Sequence, residues 1–219
     1  MLSAPRRLLL IGAGGHASDV LGVVEDLAST GTEIEVVGLL DDVDGPMNRF
    51  DGRGVVRLGA VDDLDSHNAT HFLIAVGWPR SRKALADRVA RTALDPACLV
   101  HPDARLSRGV SLGRGTVVFA GAWVSPMASI GEHALVSHNV VIGHDSTIGD
   151  FASVMPGATI SGQVSVGEGA TVGTQATVIE GLRVGPWSIV GAGAVVTKDV
   201  PAGATVVGVP ARPVQGSSQ

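Results

Sequence analysis

Aliphatic residues recur every six positions along the second half of the chain, from Val100 to Val196, without an insertion. Four positions after each of them comes a small or aliphatic residue, as Ala128 follows Val124. A helical hairpin needs more than six residues, and ordinary strand alternation has a period of two. A fixed short period is typical of a solenoid whose repeats stack on one another. We interpret each repeat as a short strand and a corner, with three repeats closing one triangular coil of eighteen residues.

Before Val100 the pattern changes to alternating strands and helices. Apolar runs predict three strands, and apolar periodicity predicts one helix after the first strand and a second helix capped by Ser81. The predicted strands are Arg7–Ile11, Glu35–Leu40 and His71–Val76, and the predicted helices are Ala17–Leu27 and Ser81–Arg91. Alternation of this kind indicates a small parallel sheet. We therefore expect an α/β domain over residues 1–95 and an all-β solenoid over residues 96–214.

Three turns follow the predicted strands and should converge at one edge of the sheet, where ligands of parallel sheets bind. They carry Gly14-Gly15-His16, Asp41-Asp42 and Gly77. A glycine turn before a helix presents amides to a phosphate group. The spacing Gly12-x-Gly14-x-x-Ala17 also fits a dinucleotide fingerprint, so NAD is one candidate ligand. No second mononucleotide half follows, which favours a single nucleotide such as that of a nucleotide-sugar. A turn that merely packs a helix on a strand is a further alternative.

Net charge, apolar content and cysteine content limit the kinds of partner and compartment that suit this chain. The net charge of −5 argues against nucleic acid as a partner. No apolar run is long enough to span a membrane. The Leu8–Ile11 run after Arg6 and Arg7 is short and enters a glycine turn rather than a signal-peptide cleavage site. The single cysteine, Cys98, excludes intramolecular disulfides. We expect a cytoplasmic protein without membrane insertion.

The repeat Leu/Ile/Val-Gly-x-x-Ala/Ser/Val-x resembles that of the hexapeptide-repeat acyltransferases, whose solenoid is a left-handed parallel β-helix. Further motifs narrow the resemblance to sugar acetyltransferases of the sialic-acid O-acetyltransferase and bacillosamine or perosamine N-acetyltransferase type. These motifs are Gly12–His16, Gly38–Asp42, Ala75–Gly77, Gly143–Asp145 and Val207–Ala211. The resemblance implies a Rossmann-like α/β domain followed by a left-handed parallel β-helix. It also implies a homotrimer.

The resemblance assigns ligands to both domains. A nucleotide-sugar would be bound by Gly14, Gly15, His16, Asp41, Asp42 and Gly77. Acetyl-CoA, the co-substrate, would lie in the groove between adjacent solenoids and contact Ser153, Thr174, Ala192 and Lys198. Arg212 is a second cation that could meet the CoA phosphates, although Lys198 and Arg212 could equally be solvated surface charges. No metal is expected.

The resemblance makes His144 the general base and Asp145 its partner. An amine or hydroxyl that attacks a thioester loses a proton, and a neutral imidazole, with an ordinary pKa of about 6.5, can accept it. A neighbouring carboxylate stabilises the imidazolium that forms. The expected reaction is direct transfer of an acetyl group from acetyl-CoA to an amine or hydroxyl of a nucleotide-linked sugar. Surface-polysaccharide or glycan precursors would be its products.

Two departures from the family pattern affect the expected acceptor. Ser153 stands where several amino-sugar enzymes carry a second histidine, and Ser137-His138 replaces an Asn-Thr pair. The choice between amine and hydroxyl acceptors therefore stays open. His138 lies one repeat before His144, so it could reach the same cleft from another subunit or be a plain interface histidine.

Two other functions use similar features. A trimeric zinc hydratase of the carbonic-anhydrase type needs three histidines, and His133 and His138 have a suitable spacing for two of them. The third ligand is expected near position 97, which is Ala97, and His101 is out of register. A non-catalytic nucleotide-sugar-binding trimer would bind the nucleotide-sugar without turning over acetyl-CoA.

Overall fold

The computed structural model describes residues 6–214. The chain divides into two compact units between Pro102 and Asp103. This division lies further along the chain than the expected boundary between residues 95 and 96. No helix in the described part of the chain has the length and apolar character needed to cross a bilayer.

The first unit contains a parallel sheet with the strand order β3-β2-β1-β4-β5. Its strands are β1 (Arg6–Ile11), β2 (Ile34–Leu40), β3 (Arg57–Gly59), β4 (His71–Ile74) and β5 (Asp95–Pro96), and its helices are α1 (Gly15–Ser29) and α2 (Pro79–Arg88). Short 3₁₀ helices cover Asn48–Phe50 and Val61–Ser66. The order confirms the predicted α/β sheet and adds β3 and β5, which are too short to give an apolar pattern.

The helix predicted to start at the Ser81 cap begins earlier. Trp78 is its N-cap residue and Pro79 its first helical residue. Proline favours this position because its fixed φ suits a helix and its missing N–H would have no helical partner. The predicted cap at Ser81 is therefore wrong.

The core of the first unit lies between the sheet and its helices. Strand β1 is buried from Leu8 to Ile11, and its neighbours β2 and β4 contribute Leu40, Phe72 and Ile74 to the same cluster. Because β1 is central and buried on both faces, it has a continuous apolar sequence instead of alternation.

The second unit is a three-sided parallel β-helix of two-residue strands, as the six-residue period predicts, except that its last two strands include one of three residues and pair antiparallel. One face stacks the strands that begin at residues 195, 177, 159, 141, 123 and 105, and a second stacks those that begin at residues 183, 165, 147, 129 and 111. The third face contains the strands that begin at residues 117, 135, 153, 171, 189, 205 and 212. Partner residues are eighteen apart, as where Val141 pairs with Trp123 on one side and Thr159 on the other. The predicted coil length is confirmed.

The strands of this part of the chain have the following bounds: β6 (Leu99–Val100), which precedes the division between the units, β7 (Arg105–Leu106), β8 (Ser111–Leu112), β9 (Val117–Val118), β10 (Trp123–Val124), β11 (Ser129–Ile130), β12 (Leu135–Val136), β13 (Val141–Ile142), β14 (Thr147–Ile148), β15 (Ser153–Val154), β16 (Thr159–Ile160), β17 (Ser165–Val166), β18 (Thr171–Val172), β19 (Thr177–Val178), β20 (Arg183–Val184), β21 (Ile189–Val190), β22 (Val195–Val196), β23 (Thr205–Val207) and β24 (Arg212–Pro213).

The repeating aliphatic residues fill the interior of the column. Ile142, Ile160 and Val178 are fully buried. Leu106 is an exception, with 38 % of its surface exposed, because its strand is the last of its face and only one neighbouring strand covers it. Because the register is regular, corner residues eighteen apart lie directly above one another on successive coils. This stacking positions the candidate site.

Candidate functional site

The glycine turn after β1 is shaped by close packing. Gly12 has a φ of 112°, and a Cβ atom at this position would lie 2.9 Å from Val76 Cγ2 and 3.0 Å from the Ala75 carbonyl oxygen. Only glycine fits both the backbone angle and the contact. Gly14, the N-cap of α1, has an extended backbone and open space where a Cβ would stand. The turn therefore presents its main chain and the start of α1 to an approaching group.

Arg49 borders this turn, although the sequence motifs do not include it. Its Nη1 atom lies 3.3 Å from the position of a Cβ on Gly15. The side chain comes from the 3₁₀ helix Asn48–Phe50, within a loop that carries no predicted functional residue. A guanidinium beside the N-terminus of a helix is favourable for an anion such as a phosphate group.

Asp41 joins two of the predicted turns. Its Oδ2 accepts a hydrogen bond from the Ala13 amide at 2.7 Å, and its Oδ1 accepts one from the Val43 amide at 2.9 Å. Arg57 donates to the Asp41 carbonyl oxygen through Nε and Nη2. The predicted convergence of the glycine turn with the end of β2 is therefore present, and Asp41 has a structural task in it.

Asp42 has different partners. Its carboxylate accepts a hydrogen bond from the Val61 amide at 3.1 Å and forms an ion pair with Arg88, which also binds Asp62. The Arg88 hydrogen bond, followed by that of the Val61 amide, lowers the pKa of Asp42 below its ordinary value. The structure thus places Asp42 in a network with α2 and the Val61–Ser66 helix.

Gly77, the third predicted position, lies on a turn fixed by a buried cation. Arg82 is 3 % exposed, and its Nη1 donates to the carbonyl oxygens of Val76 at 3.1 Å and Gly77 at 2.6 Å. Burial lowers the pKa of Arg82 to about 10, so the guanidinium stays charged at neutral pH. Trp78 follows with 72 % of its surface exposed, which adds an indole that the motifs did not indicate.

His16 is the second residue of α1 and is half-buried. The glycine turn places it immediately after Gly14 and Gly15, on the first turn of the helix. Its position at the carboxyl end of β1 matches the expectation, while its proposed contact with a ligand stays a prediction.

In the second unit, His144 and Asp145 form the corner between β13 and β14. His144 Nδ1 and Asp145 Oδ2 lie 2.8 Å apart, and both side chains are more than half exposed. An ionised carboxylate can only accept a hydrogen bond, so the imidazole proton belongs on Nδ1 and the Nε2 lone pair is left available. This is the tautomer that a general base needs.

The main chain holds this corner between the coils on either side. The Asp145 amide donates to Pro126, and the His144 carbonyl oxygen accepts from the Gln163 amide at 2.8 Å. The buried Ser146 hydroxyl donates to Ser161 at 2.9 Å and accepts from the amide of Val164. Three successive corners are thereby joined beside the imidazole.

Gly162, eighteen residues after His144, gives the imidazole its space. A Cβ at position 162 would lie 2.6 Å from His144 Nε2 and 2.7 Å from Cε1. Such contacts are closer than real Cβ atoms allow, so a larger residue would displace the ring. The sequence motifs missed Gly162, although the coil length could have found it.

The remaining predicted residues fall on different parts of the column. The corner positions eighteen apart that include the base form what we call the His144 line: His144, Gly162, Glu180 and Lys198. A second series, the His138 line, comprises His138, Pro156, Thr174 and Ala192. Thr174, Ala192 and Lys198 are exposed. Ser153 instead lies in β15 and is 1 % exposed, so it is buried, unlike these three corner residues.

Lys198 and Arg212 line one pocket of about 250 Å³ together with Asp199, Pro201 and Ala211. Two cations and one carboxylate border the same space, and the flanking residues are mostly apolar. The pocket joins the end of the His144 line to the C-terminal segment, and its two cations suit an anionic group.

The two histidines weighed as zinc ligands each contact a different aromatic ring. His133 stacks on Phe151 with ring centroids 5.3 Å apart, while His138 lies 4.7 Å from the ring of Phe119. Across residues 6–214, no three His, Cys, Asp or Glu side chains are grouped as metal ligands would be.

Together, the fold and these residues define a class of protein in which an α/β unit with a phosphate-type glycine turn precedes a hexapeptide β-helix carrying an exposed His–Asp pair. The model of the PglD N-terminal domain matches residues 7–89. Models of the bacterial transferase hexapeptide and of the hexapeptide repeat of succinyl-transferase match residues 127–162 and 163–198.

Solved structures extend the match over nearly the whole chain. PerB from Caulobacter crescentus, in complex with CoA and GDP-perosamine, is 31 % identical, with 95 % of this chain and 97 % of that chain covered and a TM-score of 0.84. The acetyltransferase domain of PglB from Neisseria gonorrhoeae FA1090, in complex with acetyl coenzyme A, is 32 % identical, with 96 % and 100 % covered and a TM-score of 0.85. The chain belongs to the family of hexapeptide-repeat sugar acetyltransferases with a PglD-type N-terminal domain, which confirms the predicted family and fold class.

Among curated proteins, the chain is similar to UDP-N-acetylbacillosamine N-acetyltransferase of Bacillus subtilis (strain 168). The two are 38 % identical over 119 residues, which cover 52 % of this chain and 52 % of that protein. The match thus spans about half the length of the curated relative. These relatives are acetyltransferases, and they give no support to the zinc hydratase alternative.

Proposed function

We propose that the protein transfers the acetyl group of acetyl-CoA directly to an amine of a nucleotide-linked sugar, with His144 as general base. The observation that carries the proposal is the exposed His144–Asp145 pair with its available Nε2 atom. The amine is favoured over the hydroxyl because relatives of the chain are named as N-acetyltransferases. The product would be a precursor of a surface polysaccharide or glycan.

In the reaction, the amine nitrogen attacks the thioester carbon while Nε2 of His144 takes a proton from that nitrogen. Asp145, bonded to Nδ1, stabilises the imidazolium that forms. The C–S bond then breaks, the amide remains on the sugar, and the imidazolium returns its proton to the CoA thiolate. The atoms balance without a covalent enzyme intermediate.

Binding of the nucleotide-sugar is assigned to the first unit. The glycine turn and the start of α1 suit its diphosphate, and Arg49 supplies a positive charge beside Gly15. The predicted residues Gly14, Gly15, His16 and Gly77 keep their roles as ligand contacts in this proposal. Asp41 acts mainly by holding the turn, and Asp42 by its ion pair with Arg88.

Acetyl-CoA would lie along the corners of the second unit. Thr174 and Ala192 follow one corner line, and Lys198 ends the other. The pocket shared by Lys198 and Arg212 would take phosphate groups of CoA. Ser153 is too buried to be one of the exposed contacts, so its part in acetyl-CoA binding would be indirect.

A homotrimer would complete this site. Thr174 and Ala192 are separated from His144 by the width of one face of the column. Acetyl-CoA bound along the His138 line of one column therefore would not reach the His144 line of the same column. Columns arranged side by side bring the edge of one next to the opposite edge of its neighbour.

The cytoplasm is the proposed compartment, because the reaction needs acetyl-CoA and a nucleotide-linked sugar together.

A thiol-release assay with acetyl-CoA and a panel of nucleotide-linked amino and hydroxy sugars tests the proposal. Turnover is expected with an amino sugar, and His144→Ala should lower kcat about 10²–10⁴-fold because general base catalysis is lost. Ser165→Ala, on an exposed strand position of another face, is the matched control and should keep the rate. Binding of a nucleotide-sugar without turnover on any acceptor would leave only the non-catalytic alternative, and full activity of His144→Ala would remove it as the base.

A further inference from the structure

The turn after β4 carries an exposed indole. Trp78 is 72 % exposed and directly follows Gly77, one of the predicted ligand contacts. Tryptophan is highly buried on average, because its side chain has a large apolar surface. A single exposed apolar side chain is common on protein surfaces. What distinguishes Trp78 is its place in the fold and the way its backbone is held.

The turn after β4 packs directly against the glycine turn after β1. The two strands are neighbours in the sheet, where Ile74 pairs with Ile11. A Cβ atom on Gly12 would lie 2.9 Å from Val76 Cγ2. Trp78 follows Val76 by two residues, so their Cα atoms are at most about 7 Å apart. Trp78 therefore belongs to the same edge of the sheet as the glycine turn and the start of α1.

The backbone that carries the indole is fixed on both sides. The buried Arg82 guanidinium donates to the carbonyl oxygens of Val76 at 3.1 Å and Gly77 at 2.6 Å, and the Arg82 amide donates to the Trp78 carbonyl oxygen at 2.9 Å. Pro79, the first residue of α2, has the fixed φ of proline. Little backbone freedom is left to lose when a ligand packs on Trp78, which favours binding.

Groups of two kinds border the glycine turn. Arg49, from the connection between β2 and β3, places a guanidinium beside Gly15, where the start of α1 already favours an anion. Trp78, from the turn after β4, adds an uncharged ring. Because β1 lies between β2 and β4, the cation and the indole come from the connections after its two neighbours. A phosphate group joined to a flat ring suits this combination.

We infer that Trp78 stacks on the base of the nucleotide-sugar. This inference rests on the proposed function and specifies one contact of that site. The base is the planar aromatic part of a nucleotide-sugar, whereas the amides of the glycine turn and the Arg49 guanidinium suit its diphosphate. Stacking on an indole tolerates different bases because every base has a π-face. Trp78 therefore contributes affinity for the nucleotide, and other contacts select the base.

Titration with free nucleoside diphosphates tests this contact without acetyl-CoA or an acceptor sugar. UDP, GDP, CDP and dTDP are titrated into the whole protein, and the Kd of the one that binds most tightly is compared among variants. Trp78→Ala should raise this Kd roughly 5- to 150-fold, which is the range for one stacked base. Trp78→Phe should restore most of the affinity because it keeps an aromatic face. Trp123→Ala, which removes a 48 % exposed indole from the other unit, is the control and should leave the Kd unchanged.

Tryptophan fluorescence provides a readout that a purely structural role would not change. A base stacked on an indole quenches its emission. The saturating nucleoside diphosphate should therefore quench the wild-type protein more strongly than Trp78→Phe, which retains Trp123 and Trp187. Thermal unfolding verifies that each variant is folded, and Trp78→Ala should keep its Tm because the side chain that it removes is largely exposed.

A wild-type Kd in Trp78→Ala, equal losses of affinity in Trp78→Ala and Trp78→Phe, or undiminished quenching in Trp78→Phe would overturn the inference. Native mass spectrometry distinguishes another occupant, since a changed oligomeric state of Trp78→Ala with an unchanged Kd would show that a second copy covers the indole. If wild type and Trp78→Ala bind a nucleoside diphosphate equally well, only this inference has failed. If wild type binds none of the four, the nucleotide-sugar site of the proposed function has failed as well.

Discussion

The two units place their candidate residues in opposite situations. At the sheet edge of the first unit, the carboxylates of Asp41 and Asp42 are occupied by main-chain amides and by Arg88. In the β-helix, the side chains of His144 and Asp145 bond mainly to each other and are more than half exposed. In the first unit, polar side chains hold the shape of a turn whose main chain is open at Gly14. In the second unit, stacking of the coils fixes the backbone, so the side chains of the corner residues are left exposed to solvent.

This contrast explains where substitutions should act. In the β-helix, a change beside the reacting atom should affect the rate more than the stability. In the first unit, many motif residues are structural, and ligand affinity should depend on the few charges that remain directed outward.

After His144→Ala, Gly162→Ala is expected to give the largest effect. A methyl group at this position would lie 2.6 Å from His144 Nε2, so the imidazole must move away. Displacement of a catalytic group by about 1 Å can cost roughly 10²-fold in rate, and kcat should fall by that order. Steady-state kinetics give kcat, and thermal unfolding should show little change.

A double-mutant cycle provides the control for Gly162. In a His144→Ala background, the ring that would be displaced is absent, so adding Gly162→Ala should have little further effect. Equal losses of kcat in both backgrounds would mean that the Gly162 substitution does not act through the His144 ring. A full kcat for Gly162→Ala alone would show that catalysis does not need the ring in the position seen in the structure.

The structure of the β-helix was predictable because each repeat packs only against the neighbouring repeats. The six-residue period fixes which residues turn inward, such as Ile142 and Ile160, and which corners stack, so the height of His144 follows from counting. Even Gly162 was within reach of that count. The exposed Leu106 shows the limit, since the rule fails at the end of a stack where one neighbouring strand is missing.

The sheet edge was predictable only in outline. Strand ends and the glycine turn follow from local pattern, and the contact of Asp41 with Ala13 agrees with their convergence. The Asp42–Arg88 pair joins residues far apart in sequence, and Arg49 reaches Gly15 from a loop without periodicity. Such contacts depend on tertiary packing, so no local motif carries them.

Arg49→Ala should weaken nucleotide-sugar binding without changing the chemical step. The Arg49 guanidinium lies beside Gly15 at the glycine turn, and a charge-assisted hydrogen bond contributes about 1.5–3 kcal/mol, so Kd should rise roughly tenfold or more. Calorimetric titration with the nucleotide-sugar measures Kd, and kcat at saturation should stay unchanged. Arg108→Ala removes one exposed positive charge from the other unit and serves as the control. A Kd equal to that of wild type would remove Arg49 from the site.

Asp42→Asn should give the smallest effect, and its dependence on pH identifies its cause. The Arg88 hydrogen bond lowers the pKa of Asp42 in the folded protein, so this carboxylate stabilises the fold above its ordinary pKa of 3.8 and loses that contribution as the pH falls through the lowered value. Because the Asp42 side chain is 45 % exposed, the difference in Tm at pH 7 should be only about 1–3 °C. Thermal unfolding from pH 7 downward should show the Tm values of the two proteins converging at low pH, and added salt should reduce the difference in Tm.

Asp44→Asn is the control: the Asp44 carboxylate pairs with Arg57 but is 93 % exposed, so this variant should show a smaller difference in Tm. A loss of nucleotide-sugar affinity in Asp42→Asn with unchanged Tm would reverse the assignment and make Asp42 a ligand contact, as the family resemblance implies.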